Sequence, residues 1–196
     1  RLEDHLTLRP ADVLARHAWP DGATLDLFAD EARSADAIGR MAGSAEAKGY
    51  RAFCAYARRI YDTVEGPFLR SARPTLGSVL KSQGLLGVAS LTRIDAMRTV
   101  WRSLEEFFRD ARLRQLFGRY ATYCGSSPYL APATLNVIAH VEREGVYLVE
   151  GGMYRVAEAL AKLAVRKGVT IRCDAPVAEV IVKGGRATGV RLSHGE

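Results

Sequence analysis

The chain has 196 residues, 48% of them hydrophobic and 26% charged, with a formal net charge of +6 at pH 7, which is an ordinary composition for a globular protein. No apolar run approaches the roughly 20 residues that a membrane-spanning helix needs, and acidic residues are interspersed with the basic ones, which argues against nucleic-acid binding. The three cysteines and four histidines are scattered without the spacing of metal ligands, so no metal site is predicted.

An antiparallel pair of strands is predicted for residues 6–28. Apolar residues alternate with polar or small ones along the first strand, with the period of two that is typical of a half-buried strand. The alternating set is Val13, Ala15, His17 and Trp19. Pro20-Asp21-Gly22 predicts the turn, because proline restricts φ and glycine accepts a positive φ. Thr24 to Phe28 is the predicted return strand.

Residues 34–144 are predicted to be mainly helical, because their apolar residues recur at intervals of three and four. Ser34, Thr92 and Asp110 are the predicted N-caps, and Gly66-Pro67 is expected to end the second helix. The five predicted helices are Ser34–Met41, Ala45–Val64, one after Thr92 that includes Ile94 to Phe108, one after Asp110 that includes Leu113 to Tyr120, and Thr134–Glu144. The carboxylate pairs Glu105-Glu106 and Glu142/Glu144 are expected on solvated helix faces.

The last fifty residues return to strand character. The predicted elements are a strand at Val146–Val149, a helix at Gly152–Lys167 with Gly168 as its C-cap, a strand at Val169–Arg172, and a hairpin of Val177–Lys183 and Arg186–Leu192 around Gly184-Gly185. Strands, then helices, then strands indicate an α+β fold with an antiparallel sheet and a helical region.

The strand, glycine pair and helix at residues 147–167 have the outline of a dinucleotide-binding unit. No Gly-x-Gly spacing occurs anywhere in the chain, however, so the G-x-G-x-x-G fingerprint of a Rossmann nucleotide-binding segment is lacking. The residues alone slightly favour the interpretation of Gly151-Gly152 as a plain strand-to-helix turn.

Two stretches resemble one enzyme family. The tail VEGGMYRVAEALAKLAVRKGVTIRCDAPVAEVIVKGGRATGVRLSHGE, from Val149, is similar to the flavin-dependent amine oxidases and phytoene desaturases. The stretch LRQLFGRYATYCGSSPYLAPATLNVIAHVEREG, from Leu113, resembles the carotenoid desaturase branch of that superfamily. Within this branch it is most similar to the hydroxyneurosporene or methoxyneurosporene desaturases, and the resemblance covers nearly the whole chain.

The resemblance implies an internal piece of a longer flavoenzyme. The FAD fingerprint is then expected before Arg1, and a closing Gly-Asp motif after Glu196. Residues 1–145 would be the substrate-binding domain, and residues 146–196 would return toward the FAD domain. The predicted cofactor-side residues are Gly151, Gly152, Met153 and Val177. This chain by itself is expected neither to bind FAD nor to be active.

The implied reaction is desaturation of an acyclic carotenoid with transfer of a hydride to FAD. The resemblance identifies no catalytic residue in this chain. The aromatic residues expected to line a substrate channel are Tyr120, Tyr123, Tyr129 and Tyr147. Core packing is the competing interpretation of these tyrosines. Two alternatives stay open: another amine-oxidase-like flavoenzyme, acting on a porphyrinogen or an amine, and a membrane-docking module without a reaction of its own.

The segment of residues 66–94 contains no acidic residue, and its basic residues lie among leucines and valines. Such a composition suits the surface of an anionic membrane. The predicted membrane contacts are Arg70, Arg73, Leu80, Lys81, Leu85 and Leu86. They predict a peripheral membrane protein on the cytoplasmic side, and the competing interpretation is a mobile loop that covers the core.

Overall fold

A computed structural model describes residues 4–70 and 94–195. The chain divides into two units: residues 10–147 form one, and the described residues up to 9 together with those from 148 onward form the other. The predicted boundary at 145/146 lies two residues from this division, whereas the first nine residues group with the C-terminal part. In the described residues, helices and three small two-stranded sheets form an α+β arrangement.

The N-terminal strands are β1 (Leu8–Pro10), β2 (Val13–Ala18) and β3 (Thr24–Phe28), and the predicted antiparallel pairing of β2 with β3 is confirmed. Leu25 and Leu27 of β3 are buried, as the period of two requires for one face of the hairpin. The turn closes where the Trp19 N–H donates to the Ala23 carbonyl at 2.9 Å. Gly22 has a φ of +83° there, which explains the glycine.

Helix α1 (Glu31–Ala42) begins three residues before the predicted start. Its N-cap is Asp30, whose carboxylate accepts from the Arg33 N–H at 2.8 Å, so the prediction of Ser34 as the cap was wrong. Ser34 is instead buried inside the helix. Its hydroxyl accepts from the Phe28 N–H at 2.9 Å and donates to the Phe28 carbonyl at 3.0 Å, which ties α1 to the end of β3.

Helix α2 (Ser44–Val64) runs through the core of the larger unit, and the predicted apolar stripe is confirmed. The α-helix ends at Val64, as predicted, and a π-helical turn (Glu65–Leu69) then carries the backbone through Gly66-Pro67 in a helical path. Phe53 is the centre of an aromatic cluster, with ring centroids 5.0 Å from Phe117 and 5.5 Å from Phe108.

The long helix predicted over residues 94–108 is not formed. Only α3 (Val100–Leu104) is helical, capped by Thr99, and Thr92 lies outside the described residues. Asp95 has a φ of +52°, which a right-handed helix excludes, and its carboxylate accepts from the Tyr56 hydroxyl at 2.7 Å. Met97, which lies within the predicted helix, is therefore almost fully exposed.

Further helices follow α3 in the larger unit. Asp110 caps α4 (Ala111–Gly118), as predicted, and a 3₁₀ segment (Arg119–Cys124) continues it. The last predicted helix is split into a 3₁₀ turn (Ala133–Asn136) and α5 (Val137–Glu144).

The smaller unit contains β4 (Tyr147–Val149), which pairs with β1, α6 (Tyr154–Arg166), and the hairpin of β5 (Val177–Lys183) and β6 (Arg186–Leu192). The hairpin and its turn are confirmed, with φ of +56° at Gly184 and +74° at Gly185. The strand predicted for residues 169–172 is wrong. A strand needs a neighbour for its backbone groups, and this stretch belongs to none of the three sheets.

Within the described ranges, no helix has both the length and the apolar character to cross a membrane, and no cluster of three potential metal ligands occurs.

The close approach of the Phe107 backbone to α2 predicts a stability effect at Gly49. A Cβ added to Gly49 of α2 would lie 2.0 Å from the Phe107 carbonyl oxygen, whereas one added to Gly39 of α1 would meet the Ala47 side chain at 3.4 Å. We expect Gly49→Ala to lower the free energy of unfolding by about 3 kcal/mol, because the α2 and Phe107 backbones must separate.

The matched control is Gly39→Ala, which should be neutral or stabilise by up to about 1 kcal/mol, because alanine favours a helix over glycine. Urea unfolding followed by circular dichroism measures both changes. Equal unfolding free energies for the two variants would contradict the close approach.

Candidate functional site

The glycine pair forms a tight turn between β4 and α6. The Gly152 N–H donates to the Val149 carbonyl at 2.9 Å, and the Arg155 N–H donates to the Gly152 carbonyl at 3.1 Å. Gly151 and Gly152 have φ of +80° and +88°, a region that residues with a Cβ rarely adopt. The local backbone therefore requires glycine at both positions.

The surface over Gly152 is open. A Cβ built on Gly152 has no atom within 4 Å, whereas one on Gly151 would meet the Arg155 side chain at 3.2 Å. A group that lay against Gly152 would thus contact backbone. Met153 follows the pair and is 71% exposed, and Val177 at the start of β5 is half exposed, opposite Leu192. The four predicted cofactor-side residues are all exposed and belong to the same unit.

A cleft of about 880 Å³ adjoins this turn. Glu150 and Arg155, on either side of the glycine pair, line one end of it, and α6 and residues 5–7 line the remainder.

The four tyrosines predicted for a channel have different environments. Tyr120 is buried in the core, and its ring centroid lies 6.5 Å from that of Tyr123, which is 65% exposed. Tyr129 is exposed and packs on Trp101, with ring centroids 4.8 Å apart. Tyr147 is half exposed at the start of β4. The structure thus brings Tyr120 and Tyr123 together, and their role in a channel stays a prediction.

A mostly buried carboxylate organises the surroundings of Tyr120. Glu142 of α5 accepts from the Tyr120 hydroxyl at 2.8 Å, and Arg119 Nη2 donates to both carboxylate oxygens at 2.9 and 2.8 Å. Only 13% of the Glu142 side chain is exposed, so the prediction that it lies on a solvated face was wrong. The sequence held one signal for this position: Glu142 follows Ile138 by four and Ala139 by three, and both face the core.

The electrostatic environment sets the protonation states near this carboxylate. Burial, then the charge of Glu142, raises the pKa of Tyr120 well above its usual value, so the phenol acts as a donor. Burial, then the positive charge of Arg119, lowers the pKa of His17 on β2, although Glu142 and Asp26 oppose this change. His17 is accordingly neutral at pH 7, and its buried Nε2 has no hydrogen-bond partner among the described residues.

The buried thiol is not a candidate nucleophile. Burial raises the pKa of Cys54 to about 11, so the reactive thiolate is scarce at neutral pH. What the described residues offer is an exposed backbone turn, a cleft and aromatic surface, which are means of binding and positioning.

Several known proteins are similar to this chain over its whole length. No family model matches the chain. Over the whole chain it is 52% identical to the hydroxyneurosporene desaturase of Rubrivivax gelatinosus and 47% identical to that of Cereibacter sphaeroides. It is 32% identical to the 4,4'-diaponeurosporene oxygenase of Staphylococcus aureus (strain USA300).

By sequence, the chain is similar over its whole length to carotenoid desaturases. The resemblance inferred from the glycine pair and the central stretch is thereby confirmed. The chain spans 37% of the length of the Rubrivivax relative and 39% of each of the other two. The sequence matches therefore cover the glycine turn, the cleft and the Glu142 cluster together.

The Glu142 cluster predicts a stability difference between two carboxylates of this chain. Glu142→Gln leaves the mostly buried Arg119 and Tyr120 without their charged partner, so we expect the free energy of unfolding to fall by about 2 kcal/mol. Glu179 pairs with Arg191 at 2.6 Å on the exposed hairpin, so Glu179→Gln should cost less than about 1 kcal/mol.

Urea unfolding in low and high salt separates the two variants, because salt screens an exposed pair and affects a buried one much less. An equally small effect at both positions would show that Glu142 is in fact solvated.

Proposed function

We propose that the chain is part of an FAD-dependent carotenoid desaturase that introduces a C=C bond into an acyclic carotenoid of the hydroxy- or methoxyneurosporene type. The observation that supports this is 52% identity, over all 196 residues, to a protein named hydroxyneurosporene desaturase. Residues 1–145 contribute mainly to substrate binding, and residues 146–196 return the chain toward the cofactor.

Desaturation depends more on the relative placement of substrate and cofactor than on acid–base groups of the protein. Desaturation removes a hydride equivalent and a proton from adjacent carbons, and bound FAD accepts the hydride. Gly151 and Gly152 fit a position beside the flavin, because the open surface over Gly152 lets another group reach the backbone. Met153 and Val177 are the further residues proposed on the cofactor side.

The substrate is a long hydrocarbon, so its recognition depends on apolar and aromatic surface. The larger unit exposes such surface at Tyr123, Tyr129 and Leu130, at 65%, 58% and 80%. These residues, with Tyr120 and Tyr147, are the proposed contacts of the polyene.

A second candidate reaction is oxygenation, since one relative is named an oxygenase. Its 32% identity is well below the 52% and 47% of the two desaturases, which favours desaturation. A different amine-oxidase-like flavoenzyme and a non-catalytic docking module are the remaining alternatives.

One experiment tests both reactions. The protein that contains this chain is mixed with hydroxyneurosporene, once without and once with dissolved oxygen, the flavin spectrum is followed, and the pigments are separated. Desaturation requires bleaching of the flavin and a product with one more double bond. An oxygenated product favours the oxygenase, and an unchanged flavin with unchanged pigment contradicts both.

The open surface at Gly152 gives a test of the cofactor contact. Gly152→Val in the protein that contains this chain should reduce the FAD retained per protein at least about tenfold, because its Cβ occupies the space over the turn. Gly168→Val is the matched control, since Gly168 has a similar φ of +83° and no atom within 4 Å of an added Cβ.

The ratio of flavin absorbance to protein absorbance after gel filtration measures retention. Equal retention in the two valine variants would leave the glycine pair as a plain turn.

We also propose that residues 66–94 contact the cytoplasmic face of a membrane. Arg70 pairs with Glu65 at 2.6 Å, yet its side chain as a whole is 75% exposed. Arg73, Leu80, Lys81, Leu85 and Leu86 lie outside the described residues. The sequence composition thus carries this proposal, and the exposed Arg70 side chain agrees with it.

Arg70/Arg73/Lys81→Glu should abolish most co-sedimentation with vesicles of phosphatidylglycerol, because each cation near an anionic surface contributes about 1 kcal/mol. Arg51/Arg58/Arg59→Glu on α2 is the control with the same change in net charge, and it should retain binding. Undiminished binding of the first variant would exclude this segment as the contact.

A further inference from the structure

The cleft of about 880 Å³ along α6 carries more positive than negative charge. One wall comes from the N-terminal segment, and the other comes from Glu150 and one face of α6. The charged and titratable residues that line it are His5, Glu150, Arg155, Glu158, Lys162 and Arg166.

Both carboxylates of this cleft are neutralised by arginines. Glu150 pairs with Arg9 at 3.1 Å, and Glu158 pairs with Arg155 at 2.9 Å. Within the part of the chain that the structure describes, neither Lys162 nor Arg166 forms an ion pair with a carboxylate. The cleft therefore holds two cations whose charge is uncompensated there.

The two cations face the same space. Lys162 and Arg166 are four residues apart on α6, so they lie on one face in successive turns. Arg166 Nη2 lies 3.4 Å from Nδ1 and 3.3 Å from Nε2 of His5. A neutral imidazole has one lone pair to accept with, so most of the five guanidinium N–H groups remain available to a ligand.

Helix stability accounts for only part of this arrangement. Basic residues in the last turn of a helix interact favourably with its partial negative charge, and α6 ends at Arg166. That partial charge is about half a unit, however, and two full positive charges exceed it. The dipole also gives no reason for a cleft between the helix and residues 5–7.

We propose that this cleft binds a phosphate ester. Lys162 and Arg166 donate charge-assisted hydrogen bonds to the phosphate oxygens, for which ammonium and guanidinium groups are well suited. Leu6, Ala159 and Val165 provide apolar wall for the organic part of the ligand. The site goes beyond the proposed desaturation, because neither flavin nor carotenoid enters the argument for it.

Amide NMR shifts of the ¹⁵N-labelled chain test this site directly. The probes are inorganic phosphate, AMP, and dihexanoyl-phosphatidylglycerol below its micelle-forming concentration. We expect saturable shifts in residues 158–167, and Lys162→Gln and Arg166→Gln should each weaken binding about tenfold. Lys167→Gln is the matched control, since Lys167 adjoins Arg166 but does not line the cleft, and it should change affinity less than about twofold.

The probes distinguish the sources of the phosphate. Tighter binding of AMP than of phosphate indicates a soluble nucleotide, and tighter binding of the phosphatidylglycerol indicates a lipid headgroup. No saturable shift in α6, or an equal loss with Lys167→Gln, overturns the proposal. Arg166→Gln also removes the contact with His5 and could therefore disturb α6. If the amide signals of α6 are lost in that variant, Lys162→Gln decides the outcome. Failure here leaves the desaturase proposal untouched, since the assay contains no flavin.

Discussion

The packing of Phe53 against the aromatic rings of the segment that follows α3 holds the larger unit together. Its ring centroid lies 5.6 Å from Phe107, 5.5 Å from Phe108 and 5.0 Å from Phe117. Edge-to-face and offset pairs of this kind contribute about 0.5–1.5 kcal/mol each beyond the burial of their area. The turn at residues 105–108 and helix α4 are thereby both fastened to α2. Gly49 lets the Phe107 carbonyl come this close to the helix.

The packing around Phe53 also positions the polar groups in the interior of the larger unit. Arg119 and Tyr120 continue directly from α4, and Glu142 reaches them from α5, which packs on α2. Asp95 likewise accepts a hydrogen bond from Tyr56 of α2. A buried polar group without a hydrogen-bond partner raises the free energy of the folded state. These hydrogen bonds therefore favour this arrangement of the helices over arrangements in which the same groups would have no partner. The aromatic core thus supplies stability, and the carboxylates add specificity to it.

The smaller unit depends on different forces. No residue of α6 is buried, and Val180 and Val190 of the hairpin are about half exposed. With little apolar burial, the backbone conformation depends on local features such as the glycine turns and the ladder between β5 and β6. Glycine at positive φ avoids the strain that a Cβ would bring at such turns. The same property leaves the surface over Gly152 open to another group.

Local patterns in the sequence determined much of this protein. The β2–β3 hairpin, α2, α4, α6 and the β5–β6 hairpin follow from periodicity, caps and glycine turns that act within a few residues. The resemblance to carotenoid desaturases rests on the stretches that begin at Leu113 and Val149. Tertiary structure decided the rest. Asp95 leaves the helical conformation and bonds to Tyr56, 39 residues earlier, and Ser34 bonds to Phe28 instead of capping a helix. Glu142 is buried because Arg119 and Tyr120, more than twenty residues before it, bring a cation and a hydroxyl to its carboxylate. No local pattern contains these partners, since the free energy that holds each residue comes from groups that only the folded chain brings within hydrogen-bonding distance.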